Sequence, residues 1–444
     1  MVTCGYFRTL VLCLLSAILA APVYAGGYEW GGLGTRASSM GGAFIGLADD
    51  WTANYWNPAG IAQAKDDEVG AEVLYTHPEI RGSNSFANLP PSATTQAIYK
   101  YTHDMFFDYT SYATGGLVSE PQQFNKTTTT YDFVNPNGIG CNIPYPAFTL
   151  GVAIYSPLGY YSDWDDSLSY GMGTISASNY QKLMIVESQL TLAKELLPGF
   201  YAGAGVALLY DHLERESDKT VANTHVVDYT YDFDMDNEGW GAEGLFGLLY
   251  QLSDYVSIGG VYRTGATVTI KGKAKSSLSL LGVSESTHAE QKFRHPPTWG
   301  FGLALKPVPD VLTFTLDWQR TEWSFYRTNV IFDDSGVLLQ DSSFDEDWKD
   351  SNRYRVGCEY MLTPVWSLRT GFMYDESPLP AKSVSLAHIA DVDRKIVTLG
   401  GGTQLGDSWK FDALLAYAWG ERNARGAEFE QKIWAGSLGA TYLF

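Results

Sequence analysis

Residues 311–327 carry a side-chain order that suggests a binding task. Taken in alternation, one face presents Thr313, Thr315, Asp317, Gln319 and Thr321, then changes to Trp323, Phe325 and Arg327. A polar run that turns aromatic and ends in a cation suits an amphiphilic acid: the tail leaves water and the carboxylate keeps a charged partner. Arg327 is therefore expected to anchor an ionised ligand. Arg215 and Arg263, inward by the same parity on their own segments, are further candidate cations. Two plainer arrangements stay open: Trp323 and Phe325 packed under a folded-over loop, and Arg327 paired with Asp333 or Asp334 just beyond it.

Covalent chemistry has no comparable signature. The chain lacks G-x-S-x-G, H-E-x-x-H and any cysteine pair at metal-ligand spacing. Its seven histidines (His77, His103, His212, His225, His288, His295, His388) are scattered over expected strands and loops. No enzymatic activity, cofactor or metal site is expected; a lipase whose Ser and His meet only in space is the remaining enzymatic alternative. The acidic stretch 333–350 is either a solvated loop or a binder of divalent cations that bridge lipopolysaccharide. A net charge of −20 and a pI near 4.7 exclude a nucleic-acid partner, which needs clustered Lys and Arg.

The elements that would position these side chains are strands. In residues 409–420 the odd positions are Trp409, Phe411, Ala413, Leu415, Tyr417 and Trp419, against Lys410 and Asp412 on the other face. Residues 434–444 repeat the pattern with Trp434, Gly436, Leu438, Ala440, Tyr442 and Phe444. About ten alternating residues with aromatics at both ends match a strand crossing a bilayer between its two interfaces. One such strand also fits a soluble sandwich, but the pattern recurs. Short turns near residues 142–144, 197–199, 252–254, 306–310, 363–364 and 406–407 pair twelve strands. An opening strand near 68–80 and the closing one bring the total to about fourteen, an even number. The connections at the other end are long and polar, 81–131 being the longest, which places them outside the cell.

With 444 residues, 14% aromatics, 45 glycines and only 18% charged residues, the chain has apolar material for one large ordered domain. Arg8, the apolar run 10–19 and Val23-Tyr24-Ala25 read as a signal peptide over residues 1–25. Lipidation at Cys13 is the lesser alternative, since Leu12 is larger than the residue such processing wants. The mature chain keeps Cys141 and Cys358, and Cys358 is expected to be a buried thiol rather than half of a disulfide. No later stretch of about 20 apolar residues could form a helical anchor. The glycine-rich segment 28–60 alone lacks strand alternation. It is expected to fill the lumen as a plug over residues 26–65, with the barrel over 66–444.

These features together resemble a known family. The segment GLGTRASSMGGAFIGLADD, leading into Asn57-Pro58-Ala59, combines with Tyr374-Asp375-Glu376-Ser377-Pro378-Leu379-Pro380, Asp393-Arg394 and a terminal Phe444. The set is similar to the FadL family of outer-membrane long-chain fatty acid transporters, which includes aromatic-hydrocarbon members. The resemblance implies an all-β, transmembrane antiparallel barrel of fourteen strands, monomeric, with an N-terminal hatch inside the lumen. It also implies a hydrophobic pocket and lateral exit beside a kinked third strand, so the partners would be a hydrophobic small molecule and the surrounding outer-membrane lipid and lipopolysaccharide. Tyr28 stands where the family's hatch aromatic would enter the pocket, with Trp30 beside it. The first outer loop is longer than the family leads one to expect. The third strand would run over 148–156 and meet Pro157 and Gly159, which either open the wall or simply end the strand. A structural or adhesive barrel with a static plug remains the alternative from another class.

Overall fold

The structure, a computed structural model, describes residues 32–83, 127–130, 132–170, 173–223, 228–344, 347–381, 391–424 and 427–444. The signal peptide, the start of the expected hatch with Tyr28 and Trp30, and most of the first outer loop lie outside the described residues.

The strands in chain order are β1 (Glu68–Ser83), β2 (Thr127–Thr130), β3 (Phe133–Pro144), β4 (Thr149–Tyr170), β5 (Gly173–Leu197), β6 (Phe200–Asn223), β7 (Tyr229–Ser253), β8 (Val256–Arg263), β9 (Ala266–Leu278) and β10 (Val283–His295). They continue with β11 (Thr298–Val308), β12 (Leu312–Thr321), β13 (Thr328–Phe332), β14 (Ser342–Phe344), β15 (Ser351–Thr363), β16 (Trp366–Asp375), β17 (Arg394–Leu405), β18 (Trp409–Ala424) and β19 (Ala427–Leu443). All pair antiparallel with their neighbours. β1 returns to β19 from Glu68↔Leu443 to Ser83↔Glu428, which closes the ring.

The wall has fourteen strands, because several segments are halves of one crossing. β2 and β3 both pair with β1, one above the other. β8 and β9 both pair with β7, split at Thr264 and Gly265. β10 and β11 are split by Pro296 and Pro297, β12 and β13 by a 3-10 turn at Trp323–Phe325, and β14 and β15, which pair with β13 and β12, form the crossing beside them. Prolines lack the ladder donor, and Gly265 holds φ 67°, where a Cβ would meet the His295 carbonyl. Six short turns join strands at one end of the barrel. The first falls at 145–148 rather than 142–144, because Ile143 and Pro144 still pair with Leu150 and Thr149.

Alternation sorts the two faces as expected. Trp409, Phe411 and Leu415 of β18 are exposed, while Lys410 and Asp412 turn inward. The same outward band takes in Leu190, Phe246, Phe301, Leu316, Val356 and Leu438. An exposed apolar belt around a closed ring is what lipid replaces water against. Cys358 belongs to this outward face and is only half-buried, unlike the buried thiol expected; Cys141 is buried on β3. Strands β5 and β7 run 25 residues, more than twice the roughly 9–11 that cross a bilayer, so the wall continues well beyond the membrane.

Residues 33–63 are mostly buried and touch the wall on all sides. Two short helices, Thr35–Ser39 and Ala53–Trp56, and the 3-10 turn Pro58–Gln63 leave most of the backbone irregular. Wall side chains satisfy it. Gly34 N–H donates to Glu72 on β1 (2.7 Å), and Phe44 and Ile45 N–H donate to one Asp317 oxygen on β12 (2.7 and 2.8 Å). Ser257 on β8 donates to the Gly46 carbonyl (2.6 Å), and Asn54 donates to Asn142 on β3 (2.9 Å). Buried peptide groups without partners would be costly, so this bonding is a condition for a non-strand segment to exist here. Gly41 (φ 66°) lies against Gly371 of β16, whose added Cβ would sit 2.1 Å from the Gly41 nitrogen.

Candidate functional site

The wall is interrupted on the third barrel strand, β4. Tyr155 pairs with Glu187 and Leu158 with Ile185, so Ser156 and Pro157 together face the single residue Val186. Ser156 Oγ donates to the Ile185 carbonyl (2.8 Å), a side-chain bond inside the bulge. On the other edge, the β3–β4 ladder runs from Pro144↔Thr149 to Gly138↔Tyr155, and among the described residues it ends there. β3 itself keeps pairing with β1 up to Phe133. Pro157 therefore does not end the strand, which continues to Tyr170; it begins the stretch where β4 has separated from β3. Gly159 adopts φ 152°, a conformation that a side chain would strain, and this helps the strand to bend away.

Behind the bulge is a cavity of about 50 Å³, lined by Tyr55 and Trp56 of the inner segment and by Pro157, Leu158 and Arg263. Parity placed Arg263 inward correctly. Its Nη1 donates to Glu187 (3.0 Å) and Glu243 (2.6 Å), its Nη2 to the Tyr155 hydroxyl (2.9 Å), and its guanidinium lies 4.9 Å from the Tyr55 ring centre. His295, beside it on the same cavity, is hydrogen-bonded to Asp211 (2.7 Å). A guanidinium held by two carboxylates is a poor free anchor for a third. Its geometry fits a rivet between β4, β5, β7 and β8 just below the opening. Sequence reading missed Glu187, Glu243 and His295, although the alternation of Glu187 with Gln189 and Thr191 on β5, and the Pro296-Pro297 pair after His295, mark polar inward faces near a break.

The other expected ligand residues among the described ones, Trp323, Phe325, Arg327 and Arg215, do not converge. Trp323 is fully buried and packs 5.0 Å from Trp348, with Tyr326 completing the cluster. Phe325 is 52% exposed and Arg327 is exposed, its Nη1 donating to the Ser324 and Tyr326 carbonyls (2.9 and 2.6 Å). The expected inward placement of both is corrected for one reason: the 3-10 turn at Trp323–Phe325 shifts the alternation by one, so Tyr326, Thr328 and Val330 turn inward instead. Arg215 is half-buried on β6. Through the pairings Arg263↔Leu245 and Gly205↔Leu245, the level of Arg263 on β6 is Gly205, so Arg215 stands roughly 33 Å along the strand from it at about 3.3 Å per residue. Asn57, Pro58 and Ala59 form a joint: Asn57 Oδ1 caps the 3-10 turn by accepting from Ala59 N–H (3.2 Å), while its Nδ2 donates to the Ile45 and Leu248 carbonyls (both 3.0 Å).

A closed barrel, an inner segment bonded to its wall, and a bulged third strand are the geometry against which relatives can be compared. The family profile described as "Outer membrane protein transport protein (OMPP1/FadL/TodX)" matches residues 11–441. The chain belongs to the FadL family. The long-chain fatty acid transport protein of Escherichia coli O6:H1 is 22% identical over 389 residues, covering 76% of this chain and 86% of the relative. The 47 kDa outer membrane protein of Pasteurella multocida is 21% identical and covers 98% of each. Among solved structures, a Pseudomonas aeruginosa FadL homologue superposes with a TM-score of 0.71 at 15% identity, covering 94% of this chain and 99% of that one. The Pseudomonas putida toluene transporter TodX superposes at 0.65 and 16% identity, with 93% and 99% covered. At these identities the structures establish the fold. This FadL-family chain is an outer-membrane β-barrel, and the family consists of transporters of hydrophobic small molecules rather than enzymes.

Proposed function

We propose that this chain is a passive channel for hydrophobic molecules, long-chain fatty acids first among them, with residues 26–65 as a hatch and lateral exit at the bulged third strand. The observation that carries the reading is the end of the β3–β4 ladder at Gly138↔Tyr155, directly beside the cavity bordered by Pro157 and Leu158. A molecule leaving sideways enters the bilayer without crossing the water of the periplasm, which is the favourable direction for apolar surface. Tyr55 and Trp56 of the inner segment line the same cavity. Uptake of aromatic hydrocarbons by the same route is the second reading. The protein works as a monomer in this account, because the outward apolar belt is continuous and is covered by lipid and lipopolysaccharide. Uptake of labelled oleate and of labelled toluene into liposomes carrying the protein, against empty vesicles, tests the function. Faster uptake of either supports a channel, and rates equal to empty vesicles would support a static barrel.

A further inference from the structure

A second cavity, of about 110 Å³, lies away from the bulge, between the inner segment and the wall formed by β16, β17, β18, β19 and β1. Lumen faces of outer-membrane barrels are ordinarily polar. Here Leu74, Met373, Ile396, Ala418 and Ile433 make a continuous apolar patch on successive strands, and all five line the cavity. By register Ile396, Ala418, Ile433 and Met373 lie in one layer, with Arg394 at the next level outward, opposite Asp375.

Arg394 lines the cavity and is 4% exposed. Its Nη2 reaches Asp375 Oδ2 at 3.3 Å, but that carboxylate already accepts two shorter bonds from Arg353, 2.8 and 3.1 Å. Among the described residues, Arg394 Nε is buried and has no hydrogen-bond partner, and neither has the buried Thr76 hydroxyl, which also lines the cavity. A guanidinium is not deprotonated in a protein, so an unmet N–H at the rim of an apolar space calls for an acceptor from a guest.

We propose that this cavity binds a small monocarboxylate, its carboxylate at Arg394 and its apolar body against the Met373–Ile433 patch. The volume sets the class. An engineered apolar cavity of about 150 Å³ takes one benzene ring, so a space of about 110 Å³ admits at most one ring or a short alkyl chain and not a whole long-chain tail. The proposal deepens the reading of the chain as a hydrophobic-molecule channel by adding an acid-selective subsite. Binding measures it separately from transport.

The test is isothermal titration of the full chain in lipid nanodiscs with benzoate and octanoate, and with toluene as the neutral probe. Wild type is expected to bind the acids. Arg394→Gln should weaken acid binding about tenfold or more, since the lost bond is charge-assisted, while leaving toluene within about twofold. Ala418→Leu keeps Arg394 and fills the space, and should weaken the acids as well. Acid binding unchanged in both folded variants, absent from the wild type, or lost together with toluene binding in Arg394→Gln, overturns the proposal. Should Arg394→Gln not fold, acid binding retained by Ala418→Leu alone overturns it, and loss there supports it. A barrel inactive in liposome uptake that still binds benzoate through Arg394 would defeat the channel reading and leave this subsite standing.

Discussion

Arg36 of the inner segment and Glu359 of β15 meet in a two-point ion pair, Nε to Oε1 at 3.1 Å and Nη2 to Oε2 at 2.9 Å. Arg36 also reaches Asp49 and Asp50, and Glu359 also accepts from Arg369 at 2.6 Å, so one side chain ties the segment to itself and to the wall. Removing one partner of a mostly buried pair costs about 3–5 kcal/mol, and here the cost falls on the inner segment because Glu359 keeps Arg369. Arg36→Gln should raise the ion conductance of single barrels in planar bilayers while leaving their resistance to detergent unfolding unchanged. Conductance equal to wild type would mean that this pair is not what holds the segment in place.

The face assignment gives a contrast within one strand. Leu415→Arg puts a charge on the lipid side and should cost ~2–4 kcal/mol near the midplane, whereas inward Lys410→Gln should change stability by less than about 0.5 kcal/mol. Urea titration of folding into vesicles measures both. Similar losses for the two would reverse the assignment.

The 3-10 turn after β12 makes a third pair. Trp323 is fully buried against Trp348, so Trp323→Ala should cost about 3–5 kcal/mol, while exposed Phe325→Ala should lie within about 0.5 kcal/mol of wild type. Were Phe325 the costlier site, the alternation beyond Thr321 would have to run as parity alone suggests.

Below the opening, Arg263 separates Glu187 from Glu243. Arg263→Gln leaves two buried carboxylates facing each other and should lower stability by several kcal/mol. Arg263→Lys should recover only part of the loss, because an ammonium cannot reproduce the fork that also reaches the Tyr155 hydroxyl. Full recovery with Lys would show that charge alone matters there.

Much of the wall was legible in the sequence because its signal is local. Each residue of β18 declares its face through its neighbours two positions away, and glycines and prolines mark the turns at Pro198-Gly199 and Gly406. Parity fails where the backbone leaves the pleat. At Trp323–Phe325 a 3-10 turn shifts the phase, and no residue there announces it, so Phe325 and Arg327 were assigned to the wrong side. Pro157 was visible as an anomaly, but whether it ends a strand or bulges it depends on β3 and β5, which the local sequence does not contain. Asp317 was read as lumen polarity, while its partners, Phe44 and Ile45 N–H, come from more than 270 residues away. Arg394 stood inside a recognisable motif, yet its role as an under-satisfied buried cation appears only once Asp375, Arg353 and the apolar layer beneath it are placed together.

The central claim is that cargo leaves through the wall where β4 parts from β3. Deleting Pro157 leaves one residue opposite Val186, removes the bulge and lets β4 carry a ladder donor at that level. The most direct measurement is liposome uptake of labelled oleate and toluene by this deletion variant beside the wild type, with folding verified by the heat-dependent mobility of the barrel on gels. The account predicts a folded barrel whose uptake of both falls toward that of empty vesicles. A folded deletion variant that takes up either compound at the wild-type rate would contradict lateral exit at this strand.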